Sequence, residues 1–138
     1  KGLRMSIDSV GNFLTIIRNA IFGSKLSVQA PYSKMNAEIV RILEQEGFIK
    51  GYEFTGEDKP GMKKITIFLK YINGESVIHE LTRVSKPSRR IYSSVKDIKP
   101  VIGGLGISII STNRGVITDK EAKDPTFFVG GEVLCTVW

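Results

Sequence analysis

Residues 108–122 read SIISTNRGVITDKEA, and their reading decides the fold of the second half of the chain. The apolar residues Ile107, Ile109 and Ile110 describe a strand. Ser111, Thr112, Asn113 and Arg114 interrupt it, and Gly115-Val116-Ile117 resumes it. Gly115 permits a positive φ, so the backbone can fold back into Val116. Thr118-x-x-Glu121 is then a capping box: the threonine oxygen accepts the N3 amide and the glutamate reaches back to the N-cap amide. Pro125 is expected to end the helix after about a turn and a half. A pinned helix directly after a turn holds that turn in a fixed pose. Ser, Thr and Asn also make turns that satisfy themselves, so the hydroxyls and amide serve either the turn or a ligand.

Working outward, the second half holds short strands and glycine-rich turns. Asn73-Gly74 turns into Glu75–Val84, and the basic stretch Ser85–Arg90 precedes Ile91-Tyr92. Gly103-Gly104-Leu105-Gly106 leads into the strand at Ile107, and Glu132–Trp138 closes the chain as a strand. The first half differs. Ser6 precedes a segment in which Ile7, Val10, Phe13, Leu14, Ile17, Ala20 and Ile21 recur at helical spacing, with Gly23 as the left-handed stop. Ser33 is the expected N-cap of a second helix that buries Met35, Ile39, Ile42 and Leu43 and ends at Gly47. Leu26–Ala30 alternates as a short strand. Phe48–Phe54 and Lys63–Tyr71 form a hairpin whose second arm sets Ile65, Ile67, Leu69 and Tyr71 on one face. The expected class is α+β in two small lobes. Residues 1–72 form an α-β-α-β-β lobe, and residues 73–138 a mostly β lobe with one short helix.

The chain has 138 residues, 41% of them apolar and 25% charged, which describes a globular protein of one domain or two small lobes. No apolar run approaches the roughly 18 residues that span a bilayer. Lys1-Gly2-Leu3-Arg4 is not followed by an apolar core with a cleavage site, so no secretory signal is expected. Cys135 is the only cysteine and forms no internal disulfide, which suits a reducing compartment. The net charge is +6, and it is concentrated. Between residues 83 and 99, Arg83, Lys86, Arg89, Arg90, Lys96 and Lys99 face only Asp97. Such a patch attracts a polyanion, because each phosphate neutralised releases a counterion. A solvated basic loop is the plainer explanation of the same charge.

Catalytic readings fail residue by residue. His79 is the only histidine and no nucleophile pattern accompanies it. One cysteine and one histidine do not build a common zinc site. Gly104-Leu105-Gly106 starts like a dinucleotide loop, but position 109 is isoleucine and a strand follows. Asp119 and Glu121 are expected to serve the helix start, where negative charge meets the dipole. Cys135 reads as core. No cofactor or metal is expected, and the chain reads as no enzyme.

Five stretches, SIDSVGNFLTIIRNA, SKMNAEIVRILEQEGFI, RVSKPSRRIY, GLGISIISTNRGVITDKEA and GGEVLCTVW, carry a resemblance in the right order along nearly the whole chain. They resemble the bacterial-type small-subunit ribosomal protein eight family. The resemblance implies a two-domain protein that binds the central domain of small-subunit rRNA directly, early in assembly. It further implies neighbouring small-subunit ribosomal proteins as partners, a monomer when free, and a place on ribosomes of the cytoplasm or of an organelle with bacterial-type ribosomes. The protein's own messenger RNA is a further partner that the resemblance allows.

By the same resemblance, Ser111, Thr112 and Asn113, with Arg114 and Gly115, form the main RNA contact. Small hydroxyls on a rigid turn enter a shallow RNA minor groove that larger side chains do not. Lys86, Arg89 and Arg90 are the phosphate candidates, Tyr92 a stacking platform, and Gly130-Gly131-Glu132 lies near the same RNA. Thr15, Arg18 and Asn19, with Ser33-Lys34 at an anion-friendly helix start, are candidates for a second contact. The chain departs from the family pattern at Ile16, where arginine is common, at Asn113, where serine is frequent, and at Ser9, where proline is common. An insertion around Thr126-Phe127-Phe128 adds apolar bulk. The rival class is a protein-binding scaffold whose basic patch is incidental. The two differ in salt dependence, since apolar docking does not weaken with salt as phosphate contacts do.

Overall fold

The computed structural model describes residues 9–56, 62–94, 97–98, 100–124 and 130–138. Two compact units emerge, one of Asn12–His79 and a second that includes Glu80–Trp138.

In the first unit, α1 (Ser9–Phe22) buries Phe13, Leu14, Ile17 and Ala20, the stripe that its spacing predicts. It ends in a Schellman arrangement: Lys25 N donates to Ala20 O and Ser24 N to Ile21 O. The left-handed residue is Ser24, at φ 53°, and not Gly23. The helix runs on far enough that its carbonyls are met one residue later than the glycine suggests. β1 (Ser27–Pro31) follows, and then α2 (Lys34–Gln45), whose N-cap Ser33 accepts from Asn36 N at 3.0 Å. α2 buries Ile39, Val40, Ile42 and Leu43 and closes when Phe48 N donates to Leu43 O beside Gly47. Met35 is only half-buried, whereas Asn36 is buried and its side-chain amide donates to Pro31 O.

β2 (Ile49–Thr55) and β3 (Lys64–Leu69) form the expected antiparallel hairpin, and β1 adds to the other edge of β3. Ile65, Ile67 and Leu69 alternate into the buried face. Tyr71 does not continue that face. β3 stops at Leu69, and Tyr71 opens a separate two-residue strand, β4 (Tyr71–Ile72), paired with β5 (Glu75–Ser76). Its hydroxyl donates to Lys25 O at 2.6 Å.

The expected strand over Glu75–Val84 is divided, with Glu75–His79 in the first unit and Glu80–Val84 in the second. Ser76 Oγ accepts from Ile78 N, and pairing resumes only at β6 (Leu81–Arg83). β7 (Tyr92–Ser93), β8 (Ile107–Thr112), β9 (Gly115–Thr118) and β10 (Gly131–Val137) complete one antiparallel sheet of order β6-β10-β8-β9, with β7 also on β10. α3 (Asp119–Ala122) is the only α-helix after residue 75 among the described residues. Its capping box is complete: Thr118 Oγ1 accepts from Glu121 N and Glu121 Oε1 from Thr118 N, each at 3.1 Å. Asp119 does more than meet the dipole, because its buried carboxylate accepts from Ser108 N on β8 at 3.1 Å. Ile98, Ile110, Ile117 and Ala122 pack together with Val133 under this helix. Ser6, Ile7, Lys96, Lys99, Pro125 and the Thr126-Phe127-Phe128 insertion lie outside the described residues.

Candidate nucleic-acid interface

The turn at 112–115 is built by β8 and β9. Ser111 pairs with Val116 and Thr112 with Gly115, leaving Asn113 and Arg114 exposed at the tip. Gly115 carries the positive φ, 112°, that closes the hairpin. Thr112 fastens the turn from within: its hydroxyl donates to Gly115 O at 2.8 Å and accepts from Arg114 N at 3.0 Å. Ser111 is different. It is half-buried, and its hydroxyl has no hydrogen-bond partner among the described residues.

β10 lies beside this turn at very close range. A Cβ on Gly131 would overlap Ser111 O and come within 3.0 Å of Ser111 C and 3.1 Å of Thr112 Cγ2. Only glycine allows that approach. Glu132 then stands directly opposite Ser111 on one side and Tyr92 on the other. Cross-strand partners point to the same sheet face, so Tyr92, Glu132 and Ser111 form one row. Tyr92 is 68% exposed, which leaves its ring open.

The basic stretch, between β6 and β7, is anchored on the same strand, β10. Lys86 and Arg89 exchange both backbone bonds at 3.0 Å, making a tight turn over Pro87-Ser88. Its base is pinched on one residue of β10: Ser85 N donates to Val133 O and Val133 N donates to Ile91 O. Lys86 and Arg89 are exposed. Arg90 is engaged, with Nη1 3.1 and 3.3 Å from the two oxygens of Glu132. Ser85, fully buried, donates to Glu132 Oε2 at 2.6 Å and accepts from Ile91 N at 2.9 Å. Residue type alone does not mark Ser85 as a site residue, although the parity of Leu81, Arg83 and Ser85 along an extended segment turns it inward.

The structure thus brings Lys86, Arg89, Arg90, Tyr92, Ser111–Gly115 and Gly130–Glu132 to one sheet of the second unit. Thr15, Arg18, Asn19, Ser33 and Lys34 belong to the first unit. Arg18 donates to Thr15 Oγ1 at 3.2 Å on the exposed face of α1, where Asn19 is also exposed. The Ser33 hydroxyl is taken up as the N-cap, and Lys34 is exposed in the first turn of α2.

The family described as Ribosomal protein S8 matches residues 8–138. The chain belongs to the ribosomal protein S8 family. The small ribosomal subunit protein uS8 of Brucella melitensis biotype 1 is 49% identical over 131 residues, spanning 95% of this chain and 97% of its own length. The protein of the same description from Brucella anthropi is 50% identical over 131 residues, with the same coverage of both chains. That of Rhodopseudomonas palustris strain BisA53 is 49% identical over 131 residues, again 95% of this chain and 97% of its own. S8-family proteins are structural, non-catalytic ribosomal components, and membership places the chain among the RNA-binding proteins of translation. Among the described residues no cluster of three His, Cys, Asp or Glu side chains could hold a metal, and no helix is long and apolar enough to cross a membrane.

Proposed function

We propose that the chain binds small-subunit rRNA directly, in its central domain, and helps the small subunit to assemble around that contact. The observation that carries this reading is the row Tyr92–Glu132–Ser111, in which an open ring and a hydroxyl without a hydrogen-bond partner among the described residues share one face beside a basic turn. Ser111 and Asn113 read the RNA through hydroxyl and amide, Tyr92 stacks on an unpaired base, and Lys86 and Arg89 hold the backbone without reading sequence. Arg114 adds charge at the turn tip. Thr15, Arg18, Asn19 and Lys34 make a second contact from the first lobe, and neighbouring ribosomal proteins and the chain's own messenger RNA are further partners. The protein works on ribosomes of the cytoplasm or of an organelle with bacterial-type ribosomes. Filter binding to a central-domain rRNA fragment and to an unrelated hairpin, titrated from about 50 to 200 mM salt, tests the reading. Preference for the fragment and a steep salt dependence are expected. Arg89→Ala should flatten the slope by about one unit while weakening both RNAs alike. Salt-independent binding, or no preference between the RNAs, would assign the surface to protein docking.

A further inference from the structure

A carboxylate in the centre of an RNA-facing row is out of place on charge alone. Phosphates repel it, and burying it costs free energy unless it is paired and hydrogen-bonded. Glu132 satisfies both conditions within the protein. Its side chain is 14% exposed, takes the Ser85 hydroxyl at 2.6 Å, and takes the Arg90 guanidinium at 3.1 Å. Ser85 in turn holds Ile91 N at 2.9 Å, on the far side of the basic turn. These side-chain bonds reinforce the pinch at Val133, whose amide and carbonyl grip Ile91 and Ser85. Ser85 and Arg90, at the two ends of the basic segment, are therefore both bonded to Glu132, the residue directly across from Ser111, and Ile91 is bonded to Ser85.

We propose that Glu132 and Ser85 are positioning residues: together they set the basic turn at a fixed place beside Ser111, and Glu132 neutralises Arg90. Within the basic turn, phosphate attraction then resides in Lys86 and Arg89, and specificity depends on that turn and Ser111 keeping one relative geometry. The cancelled charge of Arg90 limits indiscriminate binding, because a further free cation would attract any RNA equally. This rests on the RNA-binding reading above, except that the tie itself exists without RNA.

Three variants test it. Glu132→Gln keeps an oxygen for the Ser85 hydroxyl but frees Arg90. Its salt slope should steepen by about 0.9, and its preference for the rRNA fragment should fall as non-specific binding rises. Adding Arg90→Ala should return the slope to that of the wild type. Ser85→Ala changes no charge. Its slope should stay unchanged while discrimination falls roughly three- to tenfold, and the Ile91 amide should exchange faster with solvent in the RNA-free protein. A wild-type slope in Glu132→Gln, or a steepened slope that survives Arg90→Ala, would overturn the proposal. So would wild-type protection of Ile91 in Ser85→Ala. If Ser85→Ala does not fold, Glu132→Gln decides by itself. If the wild-type protein shows no preference among RNAs, the RNA reading fails, and Ile91 exchange still decides the tie.

Discussion

Ser111 and Thr112 are adjacent hydroxyl residues, and alanine at each should fail in opposite ways. Thr112→Ala removes a donor to Gly115 O and an acceptor for Arg114 N, so the turn loses two internal hydrogen bonds. Each contributes about 0.5–1.5 kcal/mol net, and exposure keeps both near the lower end. The variant should be about 1–2 kcal/mol less stable, and its melting temperature lower by roughly 3–8 °C for a chain of this size. Thr112→Ser retains the hydroxyl and should restore most of the loss. Ser111→Ala removes no protein hydrogen bond among the described residues. Its stability should stay within about 0.5 kcal/mol of the wild type. If its hydroxyl instead meets a desolvated RNA group, that loss costs about 1–3 kcal/mol, or roughly 5- to 150-fold in specific binding. Non-specific binding should hardly change, because Lys86 and Arg89 remain. Circular-dichroism melts and filter binding to the rRNA fragment and an unrelated hairpin, on the same preparations, separate the two roles. The reasoning is refuted if Ser111→Ala melts as low as Thr112→Ala and still discriminates between the RNAs. The hydroxyl would then belong to the turn.

Two further outcomes follow from the packing of β10. Gly131→Ala puts a methyl group against Ser111 O, backbone that cannot swing aside. Melting should show a loss of about 1–3 kcal/mol, and discrimination should fall with it, whereas a variant that melts and binds like the wild type would mean the strands part freely. Burial pushes the Cys135 thiol up to about 12 from its ordinary 9.0, partly offset by the charge of Arg83. The folded state therefore keeps a proton that the unfolded chain releases above pH 9, so this contribution is complete below pH 9 and is lost as pH rises toward 12. The stability gap between wild type and Cys135→Ala, followed by denaturant titration, should narrow over that interval. A constant gap would mean the thiol titrates normally.

What was legible in the sequence was local or periodic. Thr118 and Glu121 lie three residues apart, and their capping box needs no knowledge of the rest of the chain. Ile65, Ile67 and Leu69 declare a half-buried strand by alternation alone, and Ser33 declares a helix start. What was not legible depends on contacts between distant segments. Tyr71 looked like the next inward residue of β3, but its hydroxyl answers to Lys25, 46 residues away. Asp119 looked like a helix-start charge, but half its work is to hold Ser108 on another strand. Ser85 and Glu132 are 47 residues apart, and only the antiparallel run of β6 along β10, continued by Ser85 N donating to Val133 O, brings them together.

The interface divides along the same line. Residue types alone set Ser111, Thr112 and Asn113 together as one hydroxyl-and-amide turn. A strand, however, sends successive side chains to opposite faces, so two neighbours at its end cannot share a role. Ser111, across from Glu132, inherits the face that carries the open ring of Tyr92, whereas Thr112 turns its hydroxyl back onto the loop it closes. On the proposed RNA-binding reading, Ser111 serves what lies outside the fold, and Thr112 makes its position definite. The same division governs the basic stretch. Arg90 is bound inward to Glu132, and Lys86 and Arg89 stand outward on a turn that this inward bond steadies. In a site assembled from strand ends, the residues that face a ligand are half the chemistry. Their immediate neighbours, turned the other way, hold the geometry in which that chemistry can select one RNA over another.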